Sequence, residues 1–233
     1  MPDQVKRRRY DSTRREAKAA LTRENVLGAA LALFTSRGYA ATTARDIATA
    51  AGVSLDTVYT SVGRKPEVMV LLMERAISGT DEAVPAEQRD YVRQIHAATT
   101  AADKIAVYAQ ALARVQPRLA PLVHALSQAA ATDPSCADLW RSIAERRRTN
   151  MATFATELRA TGEVRTDLSD DDVADIIWST NAPEYYLLLA QQGWPPHRYA
   201  WLLTEMWTRL LLGPPIADAR DRPTSTGVAV GSR

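Results

Sequence analysis

The sequence predicts an all-α protein, and three observations carry that prediction. Glycine is scarce, 10 of 233 residues, while alanine and leucine abound, which favours helices over sheets. Apolar residues recur at spacings of three and four along most of the chain. No run of strict apolar–polar alternation competes with them.

The elements follow in order. Residues 1–20 are polar and basic, and are expected to form a disordered arm. From Thr22 the residues Val26, Ala29, Ala30, Leu33 and Phe34 mark an amphipathic helix. Thr22 is placed to cap it, Leu21 to staple onto Val26, and Gly38 to end it. Two helices of about two turns come next. Thr43 caps the first, whose inner face is Ile47, Ala48 and Ala51. Gly52 supplies a turn, and Ser54 caps the second, with Val58 inside. Pro66 suits the first turn of a longer helix that buries Val68, Leu71 and Leu72 and runs to about Ser78.

Beyond Pro85 the expected helices lengthen, at roughly 86–98, 102–115, 118–131, 136–161, 169–191 and 196–212. Breaks are expected at Pro117, Asp133-Pro134, Gly162 and Gly193. Ser169 caps its helix, Asp170, Asp171 and Asp172 sit at the positive dipole end, and Leu168 can staple to Val173. Pro183 is expected to kink that helix, freeing the Ser179 carbonyl and opening space beside Trp178 and Tyr186, with Asn181 and Glu184 adding polar groups. The last helix carries Tyr199, Leu202, Leu203, Met206 and Leu210 on one face, with Trp201, Trp207 and Leu211 to the side. That apolar surface is too wide for one contact, so a second side is open to another subunit. Residues 213–233, rich in Pro, Gly, Ser and Thr, are expected to be a disordered tail.

Charge narrows the function. The net charge is only +2, but residues 1–79 hold 13 basic against 8 acidic side chains, and the remainder 16 against 19. A basic first third points to an anionic partner. Cys136 is the only cysteine, which excludes an intrachain disulfide and a cysteine-cluster zinc site and fits a reducing, cytoplasmic setting. No apolar run is long enough to span a bilayer. His96, His124 and His197 form no metal spacing, and no cofactor is called for.

Two short helices, a glycine turn and a supporting first helix describe a helix-turn-helix, whose second helix enters the DNA major groove. The stretch TTARDIATAAGVSLDTVYTSVGRKPEV, residues 42–68, resembles the DNA-binding signature of the tetracycline-repressor (TetR) family of bacterial transcription regulators. The residues that carry the resemblance are Thr43, Ile47, Ala48, Ala51, Gly52, Val53, Ser54, Thr57, Tyr59 and Lys65. LALFTSRGYAATT before it is similar to the family's first helix and its exit. The last helices, from Leu158 to Leu212, are similar to those of many actinobacterial members.

The resemblance implies a three-helix DNA-binding domain at 21–66 and a helical ligand-binding and dimerisation domain at 67–212. It implies a homodimer on a palindromic operator, a repressor released by a small aromatic or amphipathic effector, and no membrane partner. Thr43 and Arg45 are then placed for the DNA backbone or a guanine edge. Ser54, Leu55, Asp56 and Thr57 lead the recognition helix, and Tyr59, Thr60 and Lys65 suit phosphates. Two residues depart from the family pattern. Val62 stands where phenylalanine is common, and Asp56, repelled by phosphates, either caps its own helix or accepts from a cytosine amino group. Trp140, Met151, Phe154, Trp178, Asn181, Tyr185 and Tyr186 are the candidate effector pocket. Ile176, Leu188, Leu203, Met206 and Leu210 are the candidate dimer face. Two rivals stay open: an architectural DNA-binding protein that needs no cavity, and an all-α enzyme, for which no Ser-His-Asp elbow, HExxH, phosphate loop or paired-carboxylate site is found.

Overall fold

A computed structural model describes residues 3–79 and 84–213. Among the described residues the chain forms ten α-helices and no β-strand, as the sequence predicts. The helices are α1 (Asp3–Arg37), α2 (Ala44–Ala51), α3 (Leu55–Val62), α4 (Lys65–Ser78), α5 (Asp90–Ala97), α6 (Ala101–Ala130), α7 (Pro134–Arg159), α8 (Asp170–Thr180), α9 (Pro183–Gln191) and α10 (Pro196–Trp207). No helix of the described residues is long and apolar enough to cross a membrane.

Local chemistry sets most of the ends. Thr43, Ser54 and Ser169 are N-caps whose hydroxyls accept the N–H groups of Asp46, Thr57 and Asp172. Asp46 and Asp172 complete capping boxes by accepting the cap residues' own N–H groups. The hydroxyl and N–H bonds from Thr43 and Ser169 hold both carboxyls below their usual range. Gly52, at φ +66°, closes α2 in the left-handed conformation.

Five expectations are corrected. Thr22 does not start α1, which begins at Asp3; its hydroxyl donates to the Lys18 carbonyl inside the helix. Leu21 is accordingly 62% exposed and staples nothing. The backbone of residues 3–20, expected as a disordered arm, continues α1. Pro117 does not break the chain, because α6 runs through both Pro117 and Pro121. A proline inside a helix forfeits a hydrogen bond, but α6 is packed by α1, α4, α5, α7, α9 and α10, and packing outweighs propensity. Pro183 does not kink one long helix. Asn181 caps the end of α8 and Pro183 occupies the first position of α9, where its missing N–H costs nothing. The tail call for 214–233 lies outside the described residues.

Two apolar clusters organise these helices. One joins α1–α4 to the far half of α6, through Val26, Phe34, Ile47, Val58, Val68, Leu72, Leu122 and Leu126. The other holds α5, the near half of α6, and α7–α10, through Ile105, Tyr108, Phe154, Leu158, Ile177, Tyr199, Leu203 and Trp207. The clusters do not divide at residue 66: α4 and the α6 segment from Leu122 to Ala129 belong with the first three helices.

Candidate nucleic-acid interface and interior cavity

The first three helices present a short, open reading element. Ile47, Ala48, Val58 and Val62 face inward and are buried. The turn between α2 and α3 is held by Val53 N–H on the Ala48 carbonyl at 3.0 Å and Gly52 N–H on the Thr49 carbonyl at 3.2 Å. α1 braces α3 through the Arg23 guanidinium on the Ser61 carbonyl. It braces α4 through Glu24, whose carboxylate meets Arg75 at 2.7 Å.

Most of the predicted DNA residues are open to solvent. Thr43, Arg45, Ser54, Asp56, Tyr59 and Thr60 are exposed, Leu55 and Thr57 half-buried. Tyr59 is the large apolar exception, 45% exposed. Ser54 and Thr57 share a hydroxyl–hydroxyl bond of 2.8 Å, which fixes both at the leading end of α3. Ser54 being the cap, Asp56 does not cap α3, and its carboxylate makes no hydrogen bond to the described residues. The buried Val62 still fills its scaffold position.

Lys65 is more constrained than its sequence role implied. Its ammonium donates to the Tyr39 and Thr42 carbonyls at 3.1 and 3.0 Å and lies 4.2 Å from the Tyr39 ring centroid. It therefore locks the exit of α1 to the start of α4. Gly63 makes the neighbouring turn. Its φ of +88° and ψ of −161° suit glycine alone, and an added Cβ would lie 2.1 Å from Glu67 Oε2, the atom that accepts the Arg64 N–H. Gly63→Ala is expected to cost about 1–3 kcal/mol of stability. Thermal melting checks this, and an unchanged midpoint would show that the turn relaxes freely.

A cavity of about 600 Å³ lies between α4, α5, α6, α7 and the α8–α9 junction. That is within the range of small-molecule sites, roughly 300–1,000 Å³. Its wall is mainly apolar, with Met73 and Ile77 from α4, Val92 and Ile95 from α5, Leu112 and Val123 from α6, and Ile143 from α7. One end is polar. Asn181, buried, donates from Nδ2 to the Tyr108 hydroxyl at 2.9 Å, and its carbonyl accepts Gln116 Nε2 at 2.9 Å. Burial pushes the Tyr108 hydroxyl pKa up.

Of the predicted pocket residues, Trp140, Met151, Phe154 and Asn181 line this cavity. Trp178, Tyr185 and Tyr186 do not. With Pro183 opening a new helix, Tyr185 and Tyr186 pack on Tyr199 instead, at ring-centroid distances of 6.5 and 5.1 Å. Trp178 lies under the Arg147 guanidinium. Sequence reasoning missed Tyr91, Tyr108, Gln116 and Arg147 as lining residues. Gln116 carried a signal, since it continues the stripe of Ile105, Tyr108 and Leu112 with a polar side chain where an apolar one is expected.

The candidate dimer residues divide. Leu188 is 61% exposed, and Ile176, Met206 and Leu210 are half-buried. Leu203 is 0% exposed, because α10 turns it against α6 inside the protomer, so it presents nothing to a second chain. Trp201, placed only to the side in sequence, is 57% exposed.

A buried helix-turn-helix core with an exposed second helix thus precedes a helical bundle that holds the cavity. Residues 26–61 match the model of the bacterial regulatory proteins of the tetR family. No curated protein matches the chain. Among solved structures it is similar to the MbdR regulator from Azoarcus sp. CIB, at 20% identity and a TM-score of 0.61, over 84% of this chain and 100% of that one. A SmeT–triclosan complex matches at 18% identity and 0.62, over 91% and 99%. A transcriptional regulator from Saccharomonospora viridis in complex with choline matches at 16% and 0.59, over 82% and 97%. Identities this low establish the shared fold.

Proposed function

We propose that the protein is a homodimeric repressor that binds a roughly palindromic operator and is released by a small molecule held in the interior cavity. The observation that carries the reading is the pairing of an exposed recognition helix with a 600 Å³ apolar cavity in the same chain. An architectural DNA-binding protein needs no such cavity. Solved neighbours of this fold carry triclosan and choline, which supports a ligand but not its identity. The effector favours a conformation in which the two recognition helices no longer match their half-sites. A tenfold loss of operator affinity requires about 1.4 kcal/mol of preference for that conformation.

Selection from random duplex DNA tests the first half. The expected product is a two-fold site whose half-sites lie about 34 Å apart or a near multiple of it. Failure to enrich any sequence would end the regulator reading. Within that site, Tyr59→Ala is expected to weaken binding to every sequence and to flatten the salt dependence, with no change in melting. Lys65→Ala is expected to lower affinity and melting temperature together, since its ammonium holds two carbonyls. Thr57→Ala changes base preference instead. An unaltered affinity and salt slope for Tyr59→Ala would show that α3 docks in another orientation.

A further inference from the structure

We propose that the cavity takes an amphipathic carboxylate, with Arg147 meeting the negative end. The proposal rests on the cavity being the effector site. Three guanidiniums line it, those of Arg89, Arg146 and Arg147. Glu74, buried in the wall, holds the first two, each at 3.2 Å. Glu157 is engaged by His96 Nδ1 at 3.2 Å and by Lys104 Nζ at 3.7 Å. Glu87 also lines the cavity but is exposed to water. Among the described residues no carboxylate comes within ion-pair distance of Arg147; Glu184 acts on it only at longer range.

The partners Arg147 does have are neutral. Its Nε and Nη2 donate to Asn181 Oδ1 at 3.0 and 2.8 Å, and Nη2 also reaches the Trp178 carbonyl. Its Cζ lies 4.7 Å from the centroid of the Trp178 ring. Nη1 has no hydrogen-bond partner among the described residues. Burial lowers its pKa, the mark of a cation short of compensation. A half-buried guanidinium gains from an anion that accepts its two remaining N–H donors.

A second role competes. The Trp178 carbonyl is among the last of α8, so Arg147 also acts as a cation at a helix C-terminus. That role uses Nη2 and leaves Nη1 open. It also makes no demand on the charge of whatever fills the cavity. The apolar wall beyond, with Ile95, Leu112, Trp140 and Phe154, suits a hydrocarbon or aromatic body attached to the charged group.

Calorimetric titration of the full chain with octanoate, 1-octanol and octyltrimethylammonium tests the proposal. Octanoate is expected to bind at least tenfold more tightly than octanol, and the ammonium more weakly than either. Arg147→Met is expected to remove that tenfold preference and leave octanol binding unchanged, whereas Arg147→Lys retains part of it. Should the methionine variant fail to fold, the ranking of the three probes on the unaltered protein still decides. Octanol or the ammonium binding as tightly as octanoate would overturn the carboxylate and leave the cavity as a ligand site. No binding by any probe would remove the effector site and this proposal with it.

Discussion

Leu203→Glu is expected to unfold the protomer rather than to separate a dimer. Leu203 is wholly buried on α10, in the cluster that contains Tyr199 and Trp207. α10 packs chiefly along α6, the helix that also packs against α1, α4, α5, α7 and α9. Deleting a buried leucine costs about 2–5 kcal/mol by lost burial and the cavity left behind. A carboxylate would also enter an apolar cluster, and an unpaired buried charge costs several kcal/mol more or stays protonated. Domains of this size are typically stable by about 5–15 kcal/mol, so the variant should lose its cooperative melt. Circular dichroism with size-exclusion chromatography checks it. A folded monomer melting at the wild-type temperature would show that α10 faces outward at this residue.

The opposite outcome is expected for Leu188→Glu combined with Trp201→Glu. These are the most exposed large apolar residues of α9 and α10, at 61% and 57%. Neither charge is forced into an interior, so protomer stability should change by about 1 kcal/mol or less in total. In the proposed dimer both side chains lose their water, and a charge on each side of a two-fold interface is repeated on its partner. The variant is expected to be a folded monomer by light scattering. Its affinity for the selected operator should fall by a hundredfold or more, because one recognition helix reads only a few base pairs. A variant that stays dimeric with unaltered operator affinity would place the interface on another face.

These two substitutions also mark where the sequence was readable. Thr43, Ser54 and Ser169 were legible as caps because capping is settled within four residues, and Gly52 because one φ value decides it. The periodicity of the last helix was legible too, but not which stripe faces which neighbour. Leu203 and Leu210 look alike in sequence, and only the position of α6 makes one wholly buried and the other half exposed. The prolines misled in two directions. Pro117 signalled a break that the surrounding helices override, and Pro183 signalled a kink where the chain simply stops one helix and starts another. The cavity was half legible. Trp140, Met151, Phe154 and Asn181 came from their residue types within the domain that the family resemblance implies, whereas Tyr91 and Arg147 depend on contacts between distant segments.

The position of α4 has a mechanical consequence. Its first residue, Lys65, is fastened to the exit of α1, while Met73, Glu74 and Ile77 near its other end form part of the cavity wall. Nothing flexible intervenes, so α4 is a rigid rod with one end in each compartment. At about 1.5 Å per residue it is some 20 Å long, and a tilt of roughly 5° at the cavity displaces the far end by about 2 Å. Such a rod needs little stroke at the sensing end, because its length supplies the gain. Under the proposed function, a molecule that swells the cavity and one that draws its wall inward would tilt this rod in opposite senses.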